Sequence, residues 1–142
     1  LPALIPDDYL PNISTRLVLY KRIAQAQGTE ALKDIQVEMI DRFGLLPEAT
    51  KQLFIQADIR LRAQALGISE VDVGDAGGSV TFESTTPVPV NALIGLLQSN
   101  PKEFKLAGSD TLRFIRELES GEARRHYIEK LMTQWEEACT ST

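Results

Sequence analysis

The side chains that could do chemistry are few and poorly spaced for it. The chain carries one histidine, His126, and one cysteine, Cys139, out of 142 residues. A zinc site draws most of its ligands from those two residue types, so no zinc constellation is possible. A serine or cysteine nucleophile would need His126 as its base, and the residues around it form neither a nucleophile elbow nor a Cys–His pairing. The adjacent carboxylates Asp7-Asp8 and Glu136-Glu137 fall on an extended arm and on a helix face, where such pairs are ordinary solvated charges. The run Gly74-Asp75-Ala76-Gly77-Gly78 is followed by no lysine and by a strand rather than a helix, so it reads as a turn and not a phosphate loop. With no Gly-x-x-x-x-Gly-Lys-[Ser/Thr] run and no acidic motor box, the chain is not expected to hydrolyse ATP by itself, and no cofactor is expected in it.

One constellation stands apart. Asp34, Glu38 and Asp41 fall at i, i+4 and i+7 of a predicted helix, and Arg42 lies four residues after Glu38. Three carboxylates could hold Mg²⁺ with waters, but a convex helix surface lacks the concavity that metal chemistry requires. Like charges at this spacing repel, and a helix kept for stability alone would mix its signs better. The edge formed by Asp34, Glu38 and Asp41 is therefore the best candidate for a partner-binding surface, with Arg42 bracing Glu38 within the helix, although on spacing alone a solvated helix face outweighs it.

The elements that must position these residues follow from periodicity and punctuation. Residues 1–11 hold Pro2, Pro6 and Pro11 among Leu4, Ile5, Tyr9 and Leu10, which predicts an extended arm lying on the domain or arriving as a linker. A first helix is predicted from Ser14 to Gln27, capped by Asn12 or Ser14 and ended by Gly28, with stripes Leu17–Tyr20–Ala24 and Leu19–Ile23–Ala26. The second covers Thr29–Phe43, with Leu32, Ile35, Met39 and Phe43 on its buried face. Gly44 closes it, and Pro47 opens a third helix that runs to Leu66. That helix is apolar on most sides and is expected to pack on both preceding helices and on the sheet.

The period then changes to two. Ile68, Val71 and Val73 lead into the loop Gly74–Gly78, and Val80 and Phe82 follow, which predicts a hairpin. A short helix over Val90–Gln98 should turn Leu93, Ile94 and Leu97 inward. A second hairpin joins Phe104–Leu106 to Leu112–Ile115. A last helix over Gly121–Ala138 should bury Tyr127, Ile128, Leu131, Met132 and Trp135. The predicted class is α+β: an N-terminal subdomain of three helices, then a small four-stranded antiparallel sheet with two further helices. We expect one domain over residues 1–142, made of an arm (1–11), a helical part (12–67), a sheet-and-helix part (68–138) and a polar tail (139–142).

Composition sets the outer limits. Hydrophobic residues at 43% and charged residues at 25% are ordinary for a globular protein. The net charge of −5 argues against nonspecific nucleic-acid binding, which needs Lys and Arg gathered against phosphates. The basic groups Lys21-Arg22, Arg60 with Arg62, and Arg124-Arg125 are scattered among acids. No apolar run approaches a membrane span, and LPALIP lacks the features of a signal peptide. A start at Leu1 suggests a fragment of a longer protein. One cysteine excludes an internal disulfide and fits a reducing compartment. These limits leave an interaction or regulatory module, with self-association among the possibilities, or an enzyme domain completed by other parts of a parent chain.

Three runs narrow the choice: Asp7-Asp8-Tyr9-Leu10-Pro11-Asn12, Arg16-Leu17-Val18-Leu19-Tyr20-Lys21-Arg22-Ile23-Ala24 and Val37-Glu38-Met39-Ile40-Asp41-Arg42-Phe43-Gly44-Leu45-Leu46-Pro47. Together they resemble the C-terminal domain of the bacterial transcription-repair coupling factors (Mfd). Ala92-Leu93-Ile94-Gly95-Leu96-Leu97-Gln98 and Leu112-Arg113-Phe114 are consistent with that, so the resemblance covers about residues 4–138. It implies a cytoplasmic bacterial parent, a DNA translocase using ATP and Mg, which displaces stalled RNA polymerase and recruits the repair protein UvrA. In that family the C-terminal domain docks on the parent's UvrB-like N-terminal module, covering the UvrA-binding surface and restraining the motor. The family's acidic docking residues fall on Glu38 and Asp41, with Asp34 extending the edge.

Overall fold

Asn12 begins the first helix: its side-chain carbonyl accepts the Thr15 N–H at 2.9 Å, satisfying one donor that the helix itself cannot. The computed structural model describes residues 2–140. The chain forms two compact units, the first ending at Leu61 and the second beginning at Arg62. The first holds helix α1 (Ile13–Gln25), α2 (Thr29–Phe43) and most of α3 (Glu48–Ala65). The second holds the end of α3, then β1 (Ile68–Gly74), β2 (Gly77–Phe82), α4 (Val90–Ser99), β3 (Phe104–Ala107), β4 (Thr111–Ile115) and α5 (Gly121–Thr140). This is the α+β class expected.

In the first unit α1 stops at Gln25, earlier than predicted, with Ala26 as its cap. Gly28 does not end α1; it occupies the N-cap position of α2 in an extended conformation. The core is made by Leu19 and Ile23 of α1, Leu32, Ile35 and Met39 of α2, and Phe54 and Ala57 of α3. Only one of the two stripes predicted for α1 is buried, since Leu17 is 63% exposed. The arm lies on this core. Ile5 and Leu10 are buried in it, the Ile5 N–H donates to the Tyr20 hydroxyl, and Thr50 Oγ1 donates to the Leu4 carbonyl at 3.0 Å. Gly44 closes α2 with φ of 95°, a region that a side chain disfavours, and its N–H returns to the Ile40 carbonyl. Pro47 stands one place earlier than expected: its carbonyl accepts the Thr50 and Lys51 N–H groups, so it caps α3 from outside.

The sheet of the second unit has the antiparallel order β1-β2-β4-β3. Register opposes Val71 to Val80, Val80 to Leu112 and Phe104 to Phe114 on one face. The central strands bury that face at Val80, Phe82, Leu112 and Phe114, while Val71 and Leu106 on the edge strands stay open. The turn between β1 and β2 is only Asp75-Ala76, narrower than the predicted loop. Gly77 and Gly78 belong to β2. A Cβ on either would collide with a neighbouring backbone, Phe114 for Gly77 and Asp72 for Gly78. Gly78 thus serves close strand approach, while Gly77 serves it and also takes a φ of 136° that a side chain disfavours.

α5 lays Trp135 edge-on against Phe82, with ring centroids 5.1 Å apart, and Tyr127 against Phe114 at 4.9 Å. It buries Ile128, Leu131, Met132 and Trp135 as expected, whereas Tyr127 is half-buried. α4 buries no residue fully, and Ile94, expected to point inward, is 39% exposed. α5 also continues through Cys139, so the expected tail is helical there; Ser141 and Thr142 lie outside the described residues.

Candidate protein-interaction site

The outward face of α2 is set by the 3.6-residue repeat. With Leu32, Ile35 and Met39 turned to the core, Glu30, Asp34, Val37 and Asp41 recur at steps of four, three and four along the opposite side. All four are exposed, Val37 at 52%, so the strip is acidic with an apolar residue in its middle. Among the described residues, Asp34 and Asp41 make no ion pair.

Glu38 lies at the margin of this strip and turns toward α1. Arg22 grips it with both terminal nitrogens, Nη1 to Oε2 at 2.8 Å and Nη2 to Oε1 at 3.0 Å. Arg42 reaches back one turn to the same Oε2 at 3.3 Å. These bonds, that from Arg22 foremost, hold the Glu38 carboxyl below its ordinary range, and the Glu38 carboxylate in turn raises the Arg22 guanidinium. The four residues expected to form one site therefore divide. Glu38 and Arg42 meet in a cluster with Arg22, while Asp34 and Asp41 keep unpaired charge on the open face.

The last turn of α2 is braced from beneath. The Arg42 guanidinium lies 4.8 Å above the Phe43 ring, Phe43 meets Tyr9 edge-on at 6.1 Å, and the Tyr9 hydroxyl donates to the Gly44 carbonyl at 2.8 Å. Burial raises the Tyr9 phenol, so this donor stays protonated. Sequence reasoning did not find Arg22 or Val37. Arg22 is 16 residues from Glu38, and only the packing of α1 on α2 brings them together. Val37 had a signal, being an apolar side chain at a polar-face position.

Glu136, read as solvated, is held by Arg62 in a two-point bond of 2.9 and 2.7 Å. His126 is exposed, 3.9 Å from Glu122. In the second unit a cleft of about 490 Å³ is lined by Glu103, Arg116, His126, Tyr127 and Lys130 among others. There the Tyr127 hydroxyl donates to Glu103 Oε2 at 2.7 Å, and burial together with that carboxylate raises the phenol well above its ordinary value. A phenol kept protonated cannot act as a base near neutrality. Among the described residues no group of three His, Cys, Asp or Glu side chains gathers where it could hold a metal ion, and no helix is long and apolar enough to cross a membrane.

These features define an α+β domain whose most distinctive surface is a braced, acidic helix face. The TRCF domain family model matches residues 1–93. The transcription-repair-coupling factor of Escherichia coli (strain K12) is 41% identical over 137 residues, 96% of this chain, and that of Haemophilus influenzae is 37% identical over 131 residues, 92% of it. The chain belongs to the TRCF domain family of the transcription-repair coupling factors. It spans 12% and 11% of the lengths of those two relatives. A crystal structure of the C-terminal domain of transcription-repair coupling factor superposes with a TM-score of 0.76, covering 100% of this chain and 91% of that one at 19% identity, so the fold is shared.

Proposed function

We propose that this chain is a non-catalytic regulatory domain of a DNA-repair translocase in the bacterial cytoplasm. In this reading it docks on the parent's own UvrB-like N-terminal module. The docked domain covers the UvrA-binding surface and restrains a motor that uses ATP and Mg on double-stranded DNA, until engagement of RNA polymerase releases it. Family membership supports the parent. The observation that carries the docking is the open strip of Asp34, Val37 and Asp41 on α2, which pairs unneutralised carboxylates with an exposed apolar centre. Carboxylates of this kind accept charge-assisted hydrogen bonds from arginines of a basic partner. Each exposed pair contributes about 0.2–1 kcal/mol, weak enough to release. Covalent linkage to the partner raises the effective concentration, so several such pairs can still hold a closed state.

Asp41→Arg combined with Asp34→Arg in the full-length parent tests this reading. The expected result is several-fold stronger UvrA capture and a raised ATPase, with the protein still cooperatively folded. Unchanged UvrA capture would remove the strip from the mechanism.

A second reading has its own observation. Ile13 and Leu17, one turn apart on α1, are 65% and 63% exposed, an arrangement suited to self-association. Sedimentation of the 142-residue chain as a monomer at high micromolar concentration would eliminate it.

A further inference from the structure

Helix α4 has no charged side chain anywhere along Val90–Ser99, yet it buries none of its residues fully. A helix that is apolar on most sides is ordinarily covered on most sides. Here β3 is its chief neighbour among the other elements, and Val90 and Ile94, one turn apart, are 68% and 39% exposed. Across from α4, Leu106 of β3 is 53% exposed, although it stands opposite Leu112 of β4, which is buried. Val90, Leu93 and Leu106 wall a cleft of about 440 Å³, and Phe82, Val88 and Leu112 lie at its base.

We propose that this cleft is a docking groove for an apolar segment of a partner protein that carries lysine or arginine beside its apolar side chains. The apolar walls call for side chains that Val90 and Leu106 can cover, and the charges select among the candidates. The charged residues lining the cleft are Glu83 and Asp110, both acidic, both exposed and neither in an ion pair among the described residues. Asp110 Oδ1 accepts only the hydroxyl of its neighbour Thr111, at 3.0 Å, and that leaves its charge in place. A nucleic acid or an anionic lipid surface would set phosphates against these carboxylates. A two-fold contact between copies of the chain would press the same patch on itself, with four carboxylates and no cation lining the cleft. A basic, apolar polypeptide meets both demands, as amphipathic segments do in apolar grooves. The groove lies wholly in the second unit, so it does not depend on docking through α2.

The probe is an amidated model helix with leucines along one face and lysines on its borders, titrated into the 142-residue chain and followed by NMR. It should move the signals of Val90, Leu93 and Leu106. A companion peptide with glutamate in place of every lysine should bind about tenfold more weakly, the scale of two exposed pairs lost. Val90→Ser combined with Leu106→Ser removes two exposed apolar side chains and should weaken the lysine peptide about tenfold. Glu83→Gln, which leaves the apolar walls intact, should weaken it about two- to fivefold. The proposal falls if the two peptides bind alike, if the shifts gather around Asp34 and Asp41 instead of the groove, or if Glu83→Gln and the serine pair bind like the unaltered chain. It also falls if Val90 and Leu106 shift with protein concentration alone while the chain sediments as a dimer, since a second copy is then the occupant. Each of these results leaves docking through α2 to its own test.

Discussion

Two charge clusters, one in each unit, use the same residue types to different ends. In the first unit Arg22, Glu38 and Arg42 have side chains 38–53% exposed, and their charges do not cancel. In the second, Arg62 is 19% exposed, and it joins Glu136 at 2.7 Å and Glu129 at 3.7 Å, while Arg125 meets Glu129 at 2.9 Å. Among the described residues two cations face two anions there, and Thr133 accepts a further bond from Arg62. The half-dry cluster is a brace within the second unit, tying the last turn of α3 to α5, because an unpaired charge at that depth is costly. The wetter, unbalanced one has little to give the fold and is free to be redistributed. Ion-pair count does not separate them; exposure and charge balance do.

The comparison can be broken most directly at Arg62. Arg62→Ala should cost about 1–3 kcal/mol, a figure reduced from the fully buried case because water still reaches Glu136. A lower urea midpoint would register it, and a midpoint matching the wild type would make this cluster no different from the surface one. Next is Tyr127. Its phenol is raised in the folded state above the ordinary value of 10.0, so above that pH the unfolded chain releases a proton that the folded chain keeps. Stability should therefore be complete below about pH 10 and decline as pH rises beyond it, and Tyr127→Phe should flatten the alkaline decline in thermal melts.

The smallest effect belongs to Glu38. Its carboxyl should titrate below the ordinary 4.5 by carboxyl-detected NMR, and Arg22→Gln should move it back upward. The sign follows from the lowered value: the contribution is present above the ordinary value and lost as pH falls through the folded one. Half-molar salt, where the Debye length is only about 4 Å, should reduce the Glu38 shift and leave the Arg62 brace in place.

Much of the fold was legible because its signals are local. Leu32, Ile35 and Met39 recur at helical spacing and are buried as a set. Gly44 marks the end of α2 because few other residues accept its φ. The errors arose where a residue's environment comes from another element. Leu17 and Ile94 continue apolar stripes but face outward, since no described element covers them. Gly77 and Gly78 read as loop residues, yet they lie in β2, where the close approach of β1 and β4 demands glycine at both and a positive φ adds to the demand at Gly77. The acidic helix was visible as a candidate, but the division of its charges was not.

The order of residues alone determined the α+β class, the helix and strand periods, the acidic composition of α2 and the family to which the chain belongs. All of these depend on spacings of a few residues or on contiguous runs. Which carboxylates remain open was decided only in three dimensions, because Arg22 and Arg62 choose their partners across 16 and 74 positions of chain. Local propensity carries no information about neighbours that far apart; the packing of one helix on another supplies it.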